Sequence, residues 1–130
     1  YDQVLSFNGT SFNGDLNGGN AQVNMSMNFG SGAVSSGTMN FTNDAADNTW
    51  NVTFGGQVNG NTFTLDQNSL SGTLEIYNGG SPTYHTLTGD VPAVFVGSGS
   101  NAAGGMAGAF RFEEVNDRTK WSTGTFVVTP

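Results

Sequence analysis

Five Asn-Gly dipeptides, beginning at Asn8, Asn13, Asn17, Asn59 and Asn78, punctuate this 130-residue chain. Asn-Gly is the pair best suited to two successive positive φ angles, the geometry of a two-residue hairpin turn, so the segments on either side are expected to pair antiparallel. Those segments alternate. Val23, Met25, Met27 and Phe29 are separated by Asn24, Ser26 and Asn28, and Trp50, Val52 and Phe54 by Asn51 and Thr53. Phe63 and Leu65, then Leu70, Gly72, Leu74 and Ile76, then Gly124, Phe126 and Val128 repeat the pattern. A period of two puts apolar residues on one face and polar residues on the other. Strands are predicted near 3–8, 22–29, 34–42, 48–56, 61–66, 70–77, 83–96, 105–115 and 122–129, and no segment carries a helical stripe. Pro92 cannot donate to a ladder, so the 83–96 segment is expected to break, bulge or lie on an edge.

Half-buried strands without helices leave a sandwich or a closed barrel. Closure removes edge strands without the lysines that exposed edges usually carry, and this chain has three basic residues in all. The expected fold is a single antiparallel up-and-down β-barrel of about eight strands, one all-β domain over 1–130 with no major helix. Ten phenylalanines and a 35% hydrophobic content can fill its core.

Composition narrows the partners. A net charge of −7, with Arg111, Arg118 and Lys120 confined to the last twenty positions, argues against nucleic acid and anionic membranes. The absence of cysteine excludes disulfides, thiolate catalysis and Cys-ligated zinc. No apolar run reaches the roughly 18 residues of a membrane span. The chain starts at Tyr1 without a Met, so it is expected to be a domain of a longer exported protein, attached to any membrane only through other parts of that protein. It is expected to be monomeric.

The segment FVGSGSNAAGGMAGAFRF, Phe95 to Phe112, invites two readings. Gly97, Gly99 and Ala102 fit the glycine spacing that cradles a pyrophosphate, but that motif must open a helix, and AGGMAGAF is too glycine-rich for one. A hairpin is the expectation, with Met106, Gly108, Phe110 and Phe112 inward and small residues letting backbones approach. The same phrase resembles the signature of transferrin-binding protein B-like β-barrel domains, carried by Phe95, Gly97, Asn101, Gly105, Gly108 and Phe110. FGSGAVSSGTMNF, WNVTFGGQVNGNTF and GTFVV are similar to further strands of that family. The resemblance implies a β-barrel of a bacterial cell-surface or extracellular protein, in a family of outer-membrane lipoproteins and adhesive surface proteins. Several members capture host proteins, haem or iron carriers. It brings no catalytic residue and no cofactor.

Candidate chemistry is sparse. His85 is the only histidine; it could be a haem ligand or an outward-facing strand residue between Tyr84 and Thr86. No nucleophile elbow followed by a helix accompanies it, which argues against a Ser-His-Asp triad. Glu113 and Glu114 are adjacent and must face opposite sides, so they cannot share a glycosidase site, and Glu114 is expected at the barrel mouth. Asp44 and Asp47, and Asp15, Asn17 and Asn20, sit in loops that supply too few oxygens for calcium, and Asx turns explain them. No metal and no enzymatic activity are expected. Trp50 is expected in the core. If a surface binds a protein or a glycan, the candidates are Tyr77, Tyr84, His85, Arg118, Lys120 and Trp121. Outward Asn, Thr and Ser also suggest a polysaccharide- or ice-binding face, but their spacing along the sequence is irregular.

Overall fold

The computed structural model describes residues 1–28, 30–96 and 104–130, apart from the side chains of Ser35 and Asn78. Phe29, Gly97 and Asn101, and with them the glycine spacing at 97–102, lie outside the described residues. Within them the chain forms β1 (Gln3–Ser11), β2 (Gly14–Asp15), β3 (Gln22–Asn28), β4 (Ala33–Asn43), β5 (Asn48–Asn59), β6 (Thr62–Leu65), β7 (Ser71–Asn78), β8 (Ser81–Asp90), β9 (Ala93–Val96), β10 (Gly105–Glu114) and β11 (Asp117–Thr129). The only helical pieces among the described residues are 3-10 turns at Gly18–Asn20 and Gln67–Ser69.

All pairings are antiparallel, in the order β2-β1-β11-β10-β8-β7-β5-β4-β3, with β6 beside β5 and β9 beside β10. The eleven strands of the described residues exceed the eight or so expected, for physical reasons. Pro92 lacks an N–H, so the predicted 83–96 strand stops at Asp90 and resumes at Ala93, and the Pro92 carbonyl accepts from the Ala109 amide at 2.9 Å. The Gln67–Ser69 turn separates β6 from β7, which lie end to end along β5. β8 and β9 likewise lie end to end along β10. Counted as two interrupted courses, and setting aside the two-residue β2 that pairs only with the end of β1, these leave eight courses running side by side. The outermost long strands of the path, β1 and β3, are linked through Tyr1, just before β1, and Met25 of β3: the Met25 amide donates to the Tyr1 carbonyl at 2.9 Å, and the Tyr1 amino group donates to the Met25 carbonyl at 3.1 Å.

At Asn59 and Asn78 the glycines that follow, rather than these asparagines, take central turn positions. Gly79 (φ 61°) and Gly80 (φ 95°) fill both central positions between Asn78 and Ser81, as a type I′ turn requires, and Gly60 (φ 62°) takes the first central position between Asn59 and Thr62. Asn8-Gly9 is no turn but lies inside β1, and Asn17-Gly18 opens the first 3-10 turn. Val96 lies opposite Gly105, so β9 and β10 pair antiparallel, as the expected hairpin requires and a parallel strand-helix-strand unit does not.

One face of the sheet holds a continuous core in which Trp50, Phe41, Phe110, Phe112, Phe126, Met39 and Leu74 are fully buried. Phe41, Phe110 and Phe112 have ring centroids 4.9–6.2 Å apart, and Phe7 and Trp50 extend the cluster. Four of the rings lie against a glycine directly across the ladder. Gly37 faces Phe54, Gly89 faces Phe112, Gly108 faces Phe126 and Gly124 faces Phe110. A Cβ added at these glycines would come within 2.4–2.7 Å of a carbon of the facing ring. Glycine here provides the space a ring occupies.

Gly108→Ala is therefore expected to destabilise the fold by about 1–3 kcal/mol through overpacking. Leu5→Ser, at an exposed bulge of β1, should stay within about 0.5 kcal/mol. Urea denaturation of both variants measures the difference, and equal midpoints would refute the packing role of Gly108.

Candidate functional site

The six candidate residues separate into three places. His85 does not face outward, as expected from its polar neighbours. It lies opposite fully buried Leu74 and two residues from buried Leu87, so its ring belongs to the inner face near one end of the sheet. There His85 Nδ1 is 3.4 Å from Glu114 Oε1, and Nε2 is 3.1 Å from the Thr83 hydroxyl. Glu114 is inward and buried, as its phase with Phe110 and Phe112 predicts, while Glu113 faces out.

The same end carries a polar inner layer. Asn43 and Asn48 face each other across β4 and β5, and Ser11 faces Ser122 across β1 and β11. The Asn43 amide donates to Asn13 Oδ1 at 3.1 Å and to the Ser11 hydroxyl at 3.4 Å. Asn48 Nδ2 and Oδ1, Trp50 Nε1 and the Ser122 hydroxyl are buried without a hydrogen-bond partner among the described residues. Trp50 is in the core as expected, and Phe12 packs edge-on to it at 6.5 Å.

Arg118, Lys120 and Trp121 form the second place, on the β10–β11 hairpin. Glu113 pairs with Trp121 and Glu114 with Asp117, so Arg118, Thr119 and Lys120 are extra residues bulging from β11. Trp121 lies on the outer face, with the Arg111 guanidinium 5.3 Å from its ring centroid. Glu113 binds Arg118 at 2.6 Å and approaches Arg111 at 3.9 Å. Lys120 holds the Asp117 carboxylate. That hydrogen bond, with further ones from Thr119, lowers the Asp117 pKa from 3.8 to about 2. Arg111 and Glu113 were absent from the candidate set. Their alternation with Phe110 and Phe112 marks both as outward, but their meeting with Trp121 depends on the register.

Tyr77 and Tyr84 make the third place. They project from the outer face of the β7–β8 hairpin, 42% and 66% exposed, with Tyr84 opposite Glu75 and Tyr77 opposite Pro82. Tyr84 lies beyond the end of the β8–β10 ladder, away from Trp121, and His85 is on the other face from both. The two loops considered for calcium are tied down internally. Asn17 Oδ1 accepts from Gly19 N in an Asx turn, Asn17 Nδ2 and Thr42 hold Asp44, and Asn43 Oδ1 accepts from Ala46 N. The Asn17 and Thr42 bonds lower the Asp44 pKa.

Two outcomes follow from these contacts. Ser122→Ala removes a buried hydroxyl with no partner and should raise stability by about 1 kcal/mol in urea denaturation, whereas a loss would show that the hydroxyl is bonded in solution. A carboxylate with a depressed pKa contributes stability that is present above its unfolded value and lost as pH falls through its folded value. NMR titration should place Asp117 near 2, and Lys120→Met should move it back toward 3.8; an unchanged midpoint in the variant would refute the Lys120 contact.

A scan against protein-family models, a search of curated proteins and a search of solved structures each find no match for this chain.

Proposed function

We propose that the sheet closes into a β-barrel of eight courses, and that it serves as a non-enzymatic binding or scaffold domain of a bacterial surface or exported protein, akin to the barrels of transferrin-binding protein B-like proteins. The reciprocal hydrogen bonds between Tyr1 and Met25 support closure, because an antiparallel hydrogen-bonded pair exchanges both its bonds in this way. An eight-stranded barrel has an interior just wide enough for side chains to fill it.

The observation that carries the functional reading is that filling. Phe41, Trp50, Phe110, Phe112 and Phe126 occupy the inner face and are buried. A domain built this way meets a protein or glycan partner on its outer surface and loops. The His85–Glu114 pair at the mouth orders that end rather than gripping a haem, since the Glu114 carboxylate and the Thr83 hydroxyl already engage both ring nitrogens.

A purely structural module of a large adhesin or envelope protein is the second reading. It is favoured by the cations of the β10–β11 hairpin, each of which is engaged by a neighbour within the fold.

Thermal melting of the domain with haemin, ferric chelates, calcium and EDTA tests the filled interior. The expected outcome is one cooperative transition with an unchanged midpoint. A ligand at a hundred times its dissociation constant adds about 2.7 kcal/mol, so a haemin-induced rise of several degrees would contradict the reading.

A further inference from the structure

The outer surface of β4, β5, β7 and β8 is built from hydroxyls and amides in register. Asn40 lies opposite Asn51, Asn51 opposite Thr73, and Thr73 opposite Thr86, so one row crosses four strands. The adjacent row ends in Glu75 and Tyr84. The spacing that looks irregular along the sequence becomes a ladder of about 4.8 Å steps once the strands pair. Among the described residues, the side chains of Asn40, Asn51, Thr73, Thr86, Glu75 and Tyr84 hydrogen-bond no other protein group, so their donors and acceptors face solvent. Tyr84 and Tyr77 stand at one end of the ladder as the large exposed aromatic rings of the described surface.

Resting on the reading of this domain as a non-enzymatic binding module, we infer that this face binds a neutral polysaccharide. Each carboxamide offers a donor and an acceptor together, as paired sugar hydroxyls require. An exposed tyrosine offers a rigid, partly apolar plate for the C–H face of a sugar ring. Charge selects the class of polymer. Arg111, Arg118 and Lys120 all lie on β10 and β11, Glu75 is the charge on these two rows, and the chain carries −7, so a polyanion is repelled. A protein partner would need a buried apolar centre, which these rows lack.

The test is affinity electrophoresis and pull-down of the chain with cellulose, chitin, β-1,3-glucan and xylan, with polygalacturonate as the acidic comparison. Retention on at least one neutral polymer is expected. Tyr84→Ala and Asn51→Ala should each weaken it at least tenfold, and Trp121→Ala should leave it unchanged. Thermal melts of the variants confirm that each is folded. No retention on any neutral polymer, retention indifferent to Tyr84 and Asn51, or stronger retention on polygalacturonate overturns the assignment. So does concentration-dependent self-association abolished by Asn51→Arg, which would assign the face to a second copy. Reducing-end release is followed in the same samples: retention with cleavage sinks the non-enzymatic reading, whereas absent retention with a haemin-insensitive cooperative melt sinks only the polysaccharide face.

Discussion

The contact of a phenylalanine ring with a glycine across the ladder is the constraint on which the rest of this structure depends. Where Phe126 lies on Gly108 and Phe110 on Gly124, the ring occupies the volume a Cβ would take. A glycine in a strand weakens it by entropy and by the loss of a side chain to pack, and the facing ring offsets that loss by covering the bare backbone. The arrangement lets the sheet carry a bulky aromatic core. If the sheet closes as proposed, ligand chemistry has only the surface and the mouth to use. Within the Phe95–Phe112 segment, Gly108 is the sequence trace of this packing.

Polarity is distributed unevenly around the outside. The β4–β8 side presents amides and hydroxyls, whereas Val94, Val96, Ala107, Ala109 and Val127 lie outward on β9, β10 and β11. The cations gather between them on the β10–β11 hairpin. In a chain of net −7 they hold Glu113 and Asp117 and lie over Trp121, so the corner acts as a local clamp on a three-residue bulge. Exposed pairs of this kind contribute little to stability. Their effect is to fix the shape of the hairpin.

Much of this was legible from period-two alternation alone. The strands around Val23–Asn28, Trp50–Phe54 and Gly124–Val128 and the buried place of Trp50 follow from it, as does the inward turn of Glu114, and the break at Pro92 follows from its missing N–H. Non-local register was not legible. The Tyr1–Met25 pair joins residues 24 positions apart, and Arg111 meets Trp121 only because β10 and β11 are offset by a bulge. His85 was misassigned although its phase with Leu87 was available, because Thr83 and His85 are polar and leave one apolar residue to set the phase. Three of the Asn-Gly pairs, at Asn13, Asn59 and Asn78, mark hairpins but not their geometry: at Asn78 the positive φ angles fall on the two glycines that follow.

Closure of the sheet at its seam is tested most directly by native-state hydrogen exchange of the Met25 amide. If the Tyr1–Met25 pair joins β3 to β1 as one cooperative structure, the Met25 amide exchanges only through global unfolding, with the same opening free energy as the Phe126 amide of β11. If Met25 exchanges like an open edge while Phe126 stays protected, the sheet ends at β3 and the closed, filled barrel is wrong.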